Sequence, residues 1–286
     1  MKLIFSRKGF DAANGGYPSP ILPSGEMVSL PIPESHPDWV EQPQRYQDVQ
    51  AAGISLGNLV ADLSKGRVQP DMPMHLDPDL DAHRVQRQPG WRPVFGQAGA
   101  AESHLQRMGV TTGDLFLFYG WFRHVEKVQG RFCYLRGAPD WHVLFGWLQI
   151  AQRLPAATED APAWAAAHPH CQRHKHPNPD SIYLAAETLS VPGVIQAGAG
   201  IFTHFNPLLR LTDPQHKQRS LWRLPAWFYP AGRHSHLSYH GRLDRWHLSD
   251  NSVRLQTVGR GQEFVLDSDD YPEVLAWLHM LFATCR

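Results

Sequence analysis

An α+β fold with a small β-barrel core and flanking helices is what three features of this 286-residue chain predict. Its apolar segments are short and punctuated by 23 Gly and 24 Pro, a pattern of many brief strands joined by turns. Two aromatic segments lie close together, residues 113–123 and 141–150, and both read as strands. Helical periodicity is confined to a few stretches at the flanks. The first aromatic segment opens at a Gly113-Asp114 turn. The second carries Gly146 in mid-strand, where a bulge or tight bend is expected.

The remaining elements follow in order. A strand at residues 3–5 leads into the loop 14–20, whose Gly15 and Gly16 permit positive φ and whose Pro18 and Pro20 forbid helix. Residues 55–64 read as a helix with Leu56, Leu59, Val60 and Leu63 on one face and Gly66 as its stop. A Pro- and Asp-rich loop at 69–81 precedes a second helix at 97–108, ended by Gly109. Residues 155–180, rich in Pro, Ala and His, read as a surface insertion. Strands resume at 182–186, 208–211, 253–258 and 264–266. Asp270 as N-cap with Glu273 three residues on begins a closing helix whose apolar face is Val274, Leu275, Trp277, Leu278 and Leu281. The expected organisation is a single elaborated domain over 1–286, with the barrel core at about 110–190.

Composition narrows the setting. No apolar run reaches the roughly 18 residues that a membrane span needs, and the chain begins with a strand-like segment rather than a signal peptide, so no membrane contact and a cytoplasmic location are expected. Cys133, Cys171 and Cys285 are too widely spaced for a CxxC metal pair or a disulfide framework. Formal net charge is zero but unevenly placed. Residues 11–81 hold eleven acids against three Lys or Arg, and residues 205–260 hold nine Lys or Arg against three acids. A basic half gains affinity for nucleic acid by releasing phosphate counterions, although two such halves can equally pack against each other.

Five constellations carry possible chemistry. His75-x-Asp77-x-Asp79 points three potential ligands the same way if extended, which suits a divalent metal or a general base; Asp-Pro-Asp is also an ordinary turn sequence. His168, His170, Cys171, His174 and His176 are zinc-ligand types, but their spacing matches no closed zinc site and a solvated loop is the plainer reading. Arg7 and Lys8 with Asp11 and Gly15-Gly16 follow a strand directly, an arrangement that can cradle phosphate, although neither a Walker A loop nor GxGxxG is present. Arg92 and Gln97, with Tyr119, Trp121 and Arg123 on one strand face, offer the stacking and edge-reading groups of a base pocket, while Phe116, Phe118 and Phe122 share the other face as core. Tyr239, Arg260, Gln262 and Glu263 complete the set, with Glu263 as a possible acid or base. No metal ligand set is assigned, and the sequence names no cofactor.

Two resemblances extend this reading. The Gly113-Asp114 turn, the Phe118-Tyr119 strand and the Gly146 strand leading to Pro155 resemble the core of PUA-like barrels of the EVE and ASCH type, many of which hold nucleic acid or a modified base. The opening residues 3–11 with Gly15-Gly16 and Pro18-Ser19-Pro20, then residues 30–33, His75 to Leu80, Gly90-Trp91-Arg92-Pro93, Phe95-Gly96-Gln97, the two aromatic strands and residues 260–267 resemble the nucleotide modification associated domain 3 family over nearly the whole chain. Near His170 the segment is also similar to that family. The resemblance implies a role in DNA base modification in phage and bacterial systems, beside other DNA-modification proteins, without naming the reaction. The expected function is thus a modification enzyme or accessory that engages DNA or a nucleotide in an aromatic and Arg-lined pocket, with Asp11, His75, Asp77 and Glu263 as candidate catalytic groups. Its alternatives are a non-catalytic reader of modified bases and an enzyme acting on free nucleotides or nucleotide-sugars.

Overall fold

The computed structural model describes every residue except 38–39, 41, 157–159, 173–179, 260 and 286. Among the described residues α and β structure are mixed. Strands run in the order β1 (Lys2–Arg7), β2 (Ser19–Ile21), β3 (Ile32–Pro33), β4 (Gln50–Ala51), β5 (Ile54–Ser55), β6 (Met74–His75), β7 (Val94–Ala98), β8 (Leu115–Val128), β9 (Arg131–Tyr134) and β10 (Trp141–Pro155). They continue with β11 (Asp180–Ala185), β12 (Ala199–Ile201), β13 (Leu221–Pro225), β14 (Trp246–Leu248), β15 (Ser252–Gln256) and β16 (Glu263–Asp267). The helices are α1 (Leu56–Ser64), α2 (Gly99–Arg107), α3 (Pro169–Gln172) and α4 (Glu273–Thr284).

The main sheet follows the path β16-β1-β8-β10-β11-β7, with β2 and β9 added to β8 and β12 added to β10. Its two long central strands are the aromatic segments read from sequence, and their two faces part as alternation requires. Phe116 and Phe118 pack edge-on to Phe95, whereas Tyr119 on the opposite face meets Trp222 with ring centroids 5.0 Å apart. Pairing of β8 with β10 shifts register between Leu144 and Gly146. This is the expected irregularity. A Cβ at Gly146 would stand 2.6 Å from Leu80 and 2.9 Å from the Gly200 carbonyl, so only glycine lets these chains approach.

The expected closed barrel is not formed by the described strands. β7 and β16 end the sheet and share no ladder. α2 begins directly after β7 and packs on β7, β11 and β16, and a helix, with its backbone groups bonded internally, cannot complete a ladder. A side-chain bond spans the gap instead, Gln97 Nε2 donating to Glu263 Oε1 at 2.5 Å.

Three local expectations are corrected. Gln97 and Ala98 belong to β7, because they pair with Ser181 and Asp180 of β11, and the helix starts only at Gly99. Residues 208–211 form no strand; Pro207–Leu209 is a 3₁₀ turn capped by Asn206, whose Oδ1 accepts the Leu208 N–H. α4 has Pro272, not Asp270, at its N-cap, and the Glu273 carboxylate accepts a bond from Arg233 at 2.7 Å. The helix at 55–64 stands as expected, with Ser55 accepting the Asn58 N–H.

Described parts of 155–180 are also unlike a surface insertion. Ala156 and Ala165 join a buried cluster with Val94, Leu154, Ile182 and Leu184, and His168 and His170 are 4% and 5% exposed. Among the described residues no helix is long and apolar enough to cross a membrane.

Candidate functional site

The parallel pairing of β1 with β8 sets Arg7 opposite Tyr119, and alternation places Trp121 on the same face. After β1 the chain turns at Asp11, whose Oδ1 accepts the N–H groups of Ala13 and Asn14 at 2.8 and 2.7 Å. Arg7, Asp11, Tyr119 and Trp121 thereby line one cavity, together with His142, Arg219, Ser220 and Thr257. The Arg219 guanidinium lies 3.9 Å from the centroid of the Trp121 ring. Trp121 Nε1 is buried without a hydrogen-bond partner among the described residues. Trp222 Nε1 donates to His142 Nδ1 at 2.9 Å. Burial, with Arg219 and Arg7 nearby, pushes His142 down to about 3, so its imidazole is a neutral acceptor. An aromatic face, two guanidiniums and a carboxylate are the groups that stack a base and pair with phosphate.

A second cluster forms where β6 ends. His75 pairs with Ile32 of β3, and Glu34, two residues on, brings its Oε2 within 2.8 Å of His75 Nδ1. α3 carries His170 over β7, with Nδ1 2.5 Å from Asp180 Oδ1 at the start of β11. Gly96 makes this passage possible: a Cβ there would lie 2.2 Å from the His170 ring. Asp77 sits between the histidines, its Oδ1 accepting the Gly96 N–H at 2.7 Å and lying 3.3 Å from His168 Nε2. Its Oδ2 is 3.9 Å from His170 Nε2. Burial alone would push the Asp77 carboxyl up, but His168, His170 and Lys8 together hold it well below the usual carboxylate range. Asp79 does not join. Both its oxygens take bonds of 2.6 Å from Arg87.

Lys8 Nζ lies 3.3 Å from Glu263 Oε1, which also accepts from Ser6 at 3.0 Å and from Gln97. Burial raises the Glu263 carboxyl, against the opposing pull of Lys8, Ser6 and Gln97. Glu263, Gln262 and Tyr239 line a third cavity with His104, where Tyr239, at φ +67°, meets the His104 ring in a tilted contact at 4.4 Å.

The sequence-predicted residues are therefore distributed over three places: Arg7, Asp11, Tyr119 and Trp121 in the first, His75 and Asp77 in the second, and Gln97, Tyr239, Gln262 and Glu263 around the third. Lys8 lies at the third, and its charge also reaches Asp77. Arg92 donates to the Ala185 carbonyl and Arg123 to that of Leu135, apart from all three. Arg260, His174 and His176 lie outside the described residues. Sequence reasoning misses Arg219, His142, Glu34 and Asp180, which reach their places through long-range pairing; His168 is named there only as part of a histidine-rich loop read as solvated, whereas it is 4% exposed. His170 is marked by its histidine-rich surroundings and by the resemblance of its segment to the family.

Comparison with curated proteins and with solved structures finds no match. The family described as nucleotide modification associated domain 3 matches residues 2–267, which takes in all three clusters. On that match over most of its length, the chain belongs to the nucleotide modification associated domain 3 family.

Proposed function

We propose that this chain is a nucleotide-modification enzyme, or an accessory to one, that holds a nucleotide of DNA in the Trp121 cavity. The observation that carries this reading is the convergence of Trp121, Arg7, Arg219 and Asp11 on one space. A base enters against the Trp121 ring and displaces Arg219, which then pairs with the phosphate, while Asp11 accepts from a sugar hydroxyl or an exocyclic amine. Family membership supports the nucleotide as ligand. Buried imidazole and carboxylate groups at His75, Asp77 and Glu263 favour an enzyme, because a passive reader has no use for them. A non-catalytic reader is the second reading, favoured by one fact: none of those three residues lines the Trp121 cavity.

Trp121→Ala tests the assignment. Binding of a labelled single-stranded oligonucleotide should weaken by about 1–3 kcal/mol with circular dichroism unchanged. Equal affinity in a folded variant refutes it. Affinity for a mononucleotide with none for any oligonucleotide would move the reading to an enzyme of free nucleotides.

A further inference from the structure

We propose that His75, Asp77 and His170 bind one divalent transition-metal ion. The ligand atoms these three residues offer all lie within 4.8 Å of one another, although they come from the end of β6, the loop after it and the distant α3. This inference concerns a cluster outside the Trp121 cavity, so it can fail while nucleotide binding stands, although the enzyme form of that reading also draws on His75 and Asp77.

Four features of the cluster are those of a metal site rather than of a chance meeting of polar groups. Each imidazole has its Nδ1 held by its own carboxylate, His75 by Glu34 at 2.8 Å and His170 by Asp180 at 2.5 Å. An imidazole so fixed is oriented to ligate through Nε2, and the carboxylate raises its basicity. Gly96 leaves room for the His170 ring where any other side chain would collide with it. The Asp77 carboxylate is fixed by the Gly96 N–H at 2.7 Å. Finally, His168 Nε2, on a side chain 2% exposed, faces Asp77 at 3.3 Å and has no hydrogen-bond partner among the described residues.

Two imidazoles and one carboxylate select against calcium and magnesium, which prefer oxygen, and suit Fe²⁺, Mn²⁺, Co²⁺ or Zn²⁺. Three protein ligands leave coordination positions for water or substrate. His168, beside the cluster, also lines a cavity with Arg87, Trp91 and Trp164.

The test titrates the full chain, stripped with a chelator, with Co²⁺ and follows visible absorption. The wild type should take up one ion per chain. His75→Ala and His170→Ala should lose it, and Glu34→Gln and Asp180→Asn should weaken it by about 10–100-fold. His216→Ala, at a 40% exposed side chain outside the cluster, should bind as the wild type does and so accounts for adventitious uptake. Circular dichroism of the stripped variants checks folding, and if an alanine variant does not fold, Glu34→Gln decides. No uptake by the wild type, or unchanged affinity in the folded cluster variants, overturns the proposal.

Discussion

His142 shows how one side chain ties the candidate site to stability. It is buried opposite Trp121 in the β8–β10 ladder, accepts from Trp222, and is held down to about 3 against an ordinary value of 6.5. A depressed imidazole makes the folded state a weaker proton acceptor than the unfolded chain. Its contribution to stability is therefore complete above about 6.5 and is lost as pH falls from there toward about 3. Denaturant unfolding followed across that window should lose stability more steeply in the wild type than in His142→Gln, whose amide oxygen can still accept from Trp222. Parallel curves would show that His142 does not carry this dependence. Nothing in the sequence around residue 142 marks it, because its state depends on Trp222 and on two arginines far away in the chain. Trp121 is legible for the opposite reason: its alternation with Tyr119 is local, and a strand turns local alternation into a shared face.

At the scale of elements, whatever rests on neighbours in sequence can be read and whatever rests on pairing cannot. α1 follows from its leucine spacing, the Ser55 cap and the glycine beyond its end. β8 and β10 follow from aromatic and β-branched content, and the irregularity at Gly146 follows from a glycine in mid-strand. α2 starts later than its pattern predicts because β11 recruits Gln97 and Ala98 into a ladder, a tertiary effect that overrides helical pattern. The open edge between β7 and β16 reads as closure for a related reason: strand content alone does not say which edge a helix will occupy. The histidine-rich segment looks solvated because polar composition hides partners. His170 finds Asp180 ten residues on, and His75 finds Glu34 across 41 residues.

The whole molecule sets these sites on one framework and adds a charged face. In the three-stranded sheet β13-β15-β14, Arg223 pairs opposite Arg254, which pairs opposite His247. Arg223 and His247 are exposed. Like charges set opposite each other, as Arg223 and Arg254 are, cost stability across strands, and an anionic partner would relieve that cost. Duplex DNA should bind weakly and without sequence preference, with affinity falling steeply as salt rises. Arg223→Ala with Arg254→Ala should flatten the slope of log affinity against log salt by about 1 for each phosphate no longer neutralised; an unchanged slope would remove this face from the account. The central claim, that a nucleotide rests on Trp121, is tested most directly by photocrosslinking an oligonucleotide to the full chain and mapping the attached peptides. Attachment to the peptide bearing Tyr119 and Trp121 is the predicted result, reduced in Trp121→Ala. Attachment confined to the Tyr239 cavity, or to the Arg223 face, would contradict it.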